Sequence, residues 1–285
     1  MVRRRVNLLD LILNIAGLLL WVSWRYLPFD PINRARPATL TGTLRRAEPL
    51  RVRRWHFLVA LFALLLVRAF FYSWIGGALD WAPGIKLGAT AISFRSDLLE
   101  RILFFSFGSF ANTLLIFYLS LIALWLVGPR NPEGDSFQRF IRIQLTPMHR
   151  WPAIVVALVP LFATSLTWIA MSPLLARWLI VPRTESWLHL LEQAVALGLG
   201  VYPIAKHVIG VVLGLHLLNT YVYLGGNPAW NFINATGKRL LQPLKALPLR
   251  FGKMDFAPLV GIALVYGLAK LLEFGLQELF ARLPI

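Results

Sequence analysis

Six ionisable side chains, Asp10, Arg68, Lys206, His207, Lys270 and Glu273, stand inside otherwise apolar runs of this sequence. A charge held in hydrocarbon is costly. Such residues pair with one another, line a water-filled path or relay protons. Arg68 lies almost as far past Trp55, where an apolar run opens, as Asp10 lies before Trp24, where the preceding run closes. In an antiparallel hairpin the two reach the same depth, which predicts a structural Asp10–Arg68 ion pair between the first two helices. Lys206 and His207 precede Leu224 by nearly the same interval as that by which Glu273 follows Phe256. A Lys206–Glu273 or a His207–Glu273 pair is expected there, with Lys270 one helical turn deeper. The same depth in the middle of the chain holds only Thr164 and Ser165. Acids, bases and hydroxyls in a chain could relay ions, but three sparse clusters do not compose a pathway.

The remaining residues lack the patterns of catalysis. His207 and His216 nearly share a helix face, as axial haem ligands would. Histidines near a headgroup interface usually only hydrogen-bond, and that reading is preferred. There is no His-x-x-Glu-His, no Gly-x-Ser-x-Gly, no phosphate loop and no Gly-x-Gly-x-x-Gly. The chain has no cysteine, which excludes disulfides, thiolate zinc sites and haem attachment through its own thiols. A non-enzymatic protein without cofactor or metal is expected.

The elements that must hold these residues are membrane spans. Hydrophobic residues make up 58% of the 285 and charged residues 15%, with mean hydropathy +0.64. Soluble domains hold roughly 45–50% apolar and 25% charged residues. Six apolar blocks follow one another: Asn7–Trp24, His56–Ala78, Leu103–Val127, Trp151–Ile180, Val201–Leu224 and Ala257–Leu279. Each approaches or exceeds the roughly 20 residues that cross a bilayer. Ser186–Gly200 is apolar as well, and is expected to extend the fifth helix or to lie at the interface, with a kink at Pro203. Ten of the eleven Trp sit near block ends, as an aromatic belt does. Arg3-Arg4-Arg5 before an apolar run is also a signal-peptide feature. Asp10, Asn14, the closing Trp21 and Trp24, and the lack of a small-x-small site favour a retained helix.

Net charge is +16. In a soluble protein this would suggest nucleic acid, but here the cations lie between the apolar blocks, as topology-setting loops do, and no nucleic-acid partner is expected. The loops after the first, third and fifth blocks hold eight, four and five basic residues, seventeen in all, against nine on the other side. The positive-inside rule makes the richer side cytoplasmic, with both termini on the opposite side.

Each of those three loops carries the same features in the same order. A Pro follows the helix (Asp30-Pro31, Asn131-Pro132, Asn227-Pro228). A basic segment leads to Pro49-Leu50-Arg51, Pro147-Met148-His149 or Pro243-Leu244-Lys245. Trp55, Trp151 or Phe256 then opens the next helix. The intervals from Pro49 to Pro147 and from Pro147 to Pro243 are nearly equal. The pattern predicts an all-α membrane protein of about six transmembrane helices, built as three helix–basic loop–helix hairpins over residues 1–80, 81–185 and 186–285. The segment before each second Pro reads as a short amphipathic helix.

The third hairpin resembles the YggT (YlmG-like) family of small bacterial and plastid membrane proteins. The likeness rests on Asn227-Pro228, the run Lys238-Arg239-Leu240-Leu241-Gln242-Pro243-Leu244-Lys245, Leu247-Pro248, Phe251-Gly252 and Met254-Asp255-Phe256-Ala257-Pro258. Ala257 replaces the Ser usual in the family, and Lys245 stands where Arg is common. The likeness is strong from roughly Ile204 to Lys270, degenerate in the second hairpin and weaker in the first. It implies a bacterial inner (cell) membrane protein linked to cell-envelope processes, osmotic or ion homeostasis, or assembly of membrane complexes, and it implies no common chemistry.

Two functions are consistent with these features: a membrane scaffold or assembly factor, or a small ion or solute transporter. The scaffold reading takes the third basic loop as its contact surface. Asn227, Pro228, Lys238, Arg239, Pro243, Lys245, Asp255, Phe256 and Pro258 are its candidates for contact with anionic lipid headgroups or other membrane proteins. Phe232, Ile233, Leu240 and Leu241 are expected to enter the membrane interface while the cations stay among the headgroups.

Overall fold

A computed structural model of the chain describes residues 2–26, 53–79, 82–87, 90–94, 98–129, 136–184, 186–222, 227–247, 249–251 and 254–282. The long helices are α1 (Val2–Tyr26), α2 (Arg54–Leu79), α3 (Leu99–Val127), then, after a short α4 (Ser136–Gln144), α5 (Ala153–Arg177). A broken pair follows, α6 (Trp187–Leu199) and α7 (Ala205–Tyr221), then α8 (Pro228–Leu240) and α9 (Ala257–Arg282). Among the described residues six stretches are long and apolar enough to span, with Trp187–Tyr221 counted as one. Phe70, Trp74 and Ile154 leave 71, 76 and 75% of their surfaces uncovered. Water would penalise that exposure, whereas acyl chains would not. The protein is an all-α, multi-spanning membrane protein.

The chain forms two compact units, one of residues 1–83 with 94–113, the other of 84–93 with 114–285. In the first, α1 and α2 form a packed hairpin that also takes in the start of α3. Gly17 makes this approach feasible, since a Cβ there would stand 2.9 Å from the Phe110 ring.

In the second unit α5 packs on α6 and α7 on α9. The Pro203 break is a 3-10 turn, Tyr202–Ile204. The segment before it is the separate helix α6, which continues into α7 through that turn so that the two form one candidate span. It turns its buried Leu190, Ala194 and Leu197 onto α5, where Ser165 donates to the Ala194 carbonyl at 2.8 Å. Gly198 permits the contact, because a Cβ there would meet Ser165 Oγ at 2.7 Å.

The short amphipathic helices expected in the second and third basic loops are α4 and α8, each followed by a 3-10 turn, Met148–Arg150 and Gln242–Ala246. The equivalent stretch of the first loop, with Pro31, Pro49 and Arg51, lies outside the described residues, as do Asn131-Pro132, Pro248 and Gly252. The order long helix, short helix, 3-10 turn, long helix thus occurs twice. An antiparallel hairpin, β1 (Gly84–Leu87) with β2 (Thr90–Ser93), was not foreseen. Its Gly and Pro neighbours read as loop, yet Ile85 and Ile92 pair across it and are buried. A minimal second ribbon, β3 (Arg250–Phe251) with β4 (Met254–Asp255), leads into α9.

Candidate functional site

In the first unit the charges of α1 and α2 meet. The Arg68 guanidinium donates to Asp10 Oδ1 through one amino group and to Asn14 Oδ1, at 2.8 Å, through the other. Asn14 in turn donates to Asp10 Oδ2 at 3.2 Å and to Ser109 Oγ at 3.0 Å. The Tyr72 hydroxyl donates to Asp10 Oδ1 at 3.1 Å. The guanidinium carbon also lies 5.5 Å from the ring centroids of Tyr72 and Phe105, so aromatic faces enclose the cation where hydrogen bonds do not. Arg68 is only 2% exposed, yet its charge is matched by one carboxylate and spread over several partners. That arrangement favours a lock between helices rather than a mobile ion. Asn14 and Tyr72 were not among the expected site residues. Each lies one helical turn after a member of the pair, on the same helix face, and that spacing could have found them. Ser109 comes from a third helix, and nothing in the sequence marks it.

In the second unit Lys206 Nζ meets Glu273 Oε1 at 2.6 Å. His207 does not share the carboxylate. It turns to the Tyr266 hydroxyl, 3.4 Å from its Nδ1. Lys270 is exposed and is not brought to this pair. His216 is buried on α7 and hydrogen-bonds Asn234 of α8 at 3.0 Å, which gives it a structural partner. No cluster of metal-ligating side chains occurs among the described residues.

The ion pairs share one coordinate, each measured along its own hairpin. Asp10 stands as far from Tyr26 as Glu273 stands from Ala257, and Arg68 and Lys206 stand only slightly closer to Arg54 and Tyr221. At ~1.5 Å per residue each pair lies roughly 21–24 Å from the helix ends at the basic loops. Their polarity is opposite: the acid is on the first helix of one hairpin and on the second helix of the other.

The basic-loop end of the second unit is a folded platform. Phe232 of α8 joins Leu121 and Ile122 of α3, Ile141 of α4, Leu145 and Val156 in one apolar cluster. Its ring stands 4.9 Å from that of Phe137. This corrects the expected disposition of α8. Phe232 and Leu241 are 3% and 6% exposed, so these two members of the apolar face pack against protein instead of facing outward. The physical reason is a matching apolar face on α4. Two glycines permit the fit: a Cβ at Gly128 would crowd Phe232, and one at Gly237 would stand 2.5 Å from His216 Cγ.

Of the expected contact residues, Asn227, Pro228, Lys238, Pro243, Lys245 and Phe256 are exposed. Arg239 is exposed as well, but its guanidinium donates to the Gly128 carbonyl and so fastens α8 to the end of α3. Pro258 is buried in α9. Asp255 Oδ1 accepts the amide of Ala257, one of the unpaired donors at the start of α9, and the Asp255 amide donates to Tyr221 Oη at 3.0 Å. His149, beside the cis Thr146–Pro147 bond, has its imidazole held below the ordinary histidine value by burial and by the Arg150 and Arg142 cations.

Comparison of the chain with protein-family models, with curated proteins and with solved structures finds no match in any of the three. The YggT resemblance therefore rests on the residues quoted for it.

Proposed function

We propose that this multi-spanning protein is a non-enzymatic scaffold or assembly factor of YggT type in a bacterial inner membrane, with its basic loops on the cytoplasmic side and three related hairpins as its plan. The observation that supports this most is the pairing of membrane charge with packed architecture. Arg68 and Lys206 are each neutralised by a carboxylate of a neighbouring helix, while Lys238 and Lys245 stand exposed on a platform ordered from within by Phe232. Paired charges lock helices, and exposed cations on a rigid base meet anionic headgroups and other membrane proteins. Arg239 belongs to the base, because it holds Gly128. The test is therefore the Lys238→Gln, Lys245→Gln double variant, with Arg239 kept. Normal abundance and melting together with loss of cross-linked partners and of binding to anionic vesicles is the expected result. Wild-type behaviour in both assays would remove this surface from the function. Ion flux in proteoliposomes that Asp10→Asn abolishes would replace the scaffold by a transporter.

A further inference from the structure

A part-open cavity of about 290 Å³ lies within the second unit, where the end of α3, α4, the start of α5 and α8 come together. Leu124, Trp125, Ile141 and Phe232 form its apolar wall, and Gln138 and Arg142 its polar one. The last two are one helical turn apart on α4 and so share a face. Gln138 is 7% exposed. Its Nε2 donates to the Pro129 carbonyl at 2.9 Å, and since a carbonyl only accepts, this fixes the orientation of the amide. Oε1 is then left as a buried acceptor with no partner. Among the described residues Arg142 makes no ion pair.

These groups specify a ligand. It must bring an anion to Arg142, a hydrogen-bond donor to Gln138 Oε1 and apolar surface to the remaining wall. A bare phosphate supplies only the first. Trp125, close to the end of α3, marks the depth at which Trp concentrates, the boundary between acyl chains and headgroups. We propose that the cavity binds one anionic phospholipid with a hydroxylated headgroup, of which phosphatidylglycerol is the simplest. The phosphate pairs with Arg142, a headgroup hydroxyl donates to Gln138 Oε1, and the first acyl carbons rest on Leu124, Trp125, Ile141 and Phe232. The inference shares with the proposed function the placing of the platform in the headgroup layer, but it does not depend on Lys238 or Lys245.

Native mass spectrometry of the delipidated full-length protein tests it, with phosphatidylglycerol, phosphatidylmethanol and phosphatidylcholine titrated in turn. Phosphatidylmethanol carries the same single charge without the hydroxyls. One retained adduct per chain is expected, with phosphatidylglycerol about 3- to 10-fold ahead of phosphatidylmethanol, the range of one neutral hydrogen bond. Arg142→Gln lowers phosphatidylglycerol occupancy about tenfold, as loss of a charge-assisted contact should. Gln138→Leu removes the preference for phosphatidylglycerol but leaves phosphatidylmethanol binding as it was. Should the leucine variant not fold, the comparison of the two lipids on the wild-type chain still decides the role of the hydroxyl. Equal retention of all three lipids, or an unchanged adduct in Arg142→Gln, overturns the proposal. Displacement of the lipid by an equal concentration of soluble glycerol phosphate would assign the cavity to a free anion and overturn it too. The Lys238→Gln, Lys245→Gln variant keeps the adduct. If that variant loses partners while the adduct persists, the scaffold surface and the lipid cavity are separate; if partners persist while Arg142→Gln retains its lipid, both readings have failed.

Discussion

Arg68 shows how a single residue can hold a membrane charge in place. Removing Asp10 leaves the guanidinium with Asn14 and two aromatic faces and no anion. Asp10→Ala is expected to cost about 3–5 kcal/mol, the usual effect of stranding one member of a buried pair. Asp10→Ala with Arg68→Leu should recover a substantial part, because no lone charge remains. Thermal melting in detergent measures both, and a double variant no better than the sum of the singles would show that the pair contributes no coupling. The partners Asp10 and Arg68 were legible because depth along two antiparallel helices can be counted. The choice of Lys206 over His207 for Glu273 was not. Adjacent helical residues point about 100° apart, so only one faces the carboxylate, and helix rotation is set by packing that the sequence does not spell out.

Elements carry a different kind of information. The amphipathic stripe of α8 could be read directly, but the surface that receives it could not, since that surface is assembled from α3, α4 and α5. Glycines show the same division. Gly198, Gly210 and Gly261 each have neighbours that a Cβ would crowd, whereas Gly214 and Gly267, on the same helices α7 and α9, have nothing within 4 Å. Gly237 drew no attention in the sequence, yet it lies hard against His216. Gly237→Ala should therefore destabilise the platform by about 1–3 kcal/mol, as overpacking does. His216→Ala in the same chain should relieve much of that, with melting temperature as the readout. Equal destabilisation with and without His216 would mean that the close contact is not the cause.

For the whole molecule, the six spans were evident from hydropathy alone, because lipid demands long uninterrupted apolar stretches. The β1–β2 hairpin was not, since its strands are four residues each and the Gly and Pro residues beside them read as loop. We predict from the distribution of cations that Thr41 faces the cytoplasm and Thr90 the opposite side. The chain has no cysteine, so single cysteines at these positions can be labelled without background. Labelling with impermeant maleimide from opposite sides is expected, and labelling of both from one side would reverse the assignment for one of the hairpins.

The ion pairs also constrain biosynthesis. Each joins helices that leave the ribosome in sequence, Arg68 following Asp10 by 58 positions and Glu273 following Lys206 by 67. A lone Asp or Lys opposes insertion by up to ~2.5–3.5 kcal/mol. At ~5–20 residues per second the counter-charge arrives roughly 3–13 s later. During that interval the leading helix, acidic in one hairpin and basic in the other, gains from a hydrated channel wall over lipid. Entering the bilayer as the neutralised pairs α1 with α2 and α7 with α9 would avoid that cost.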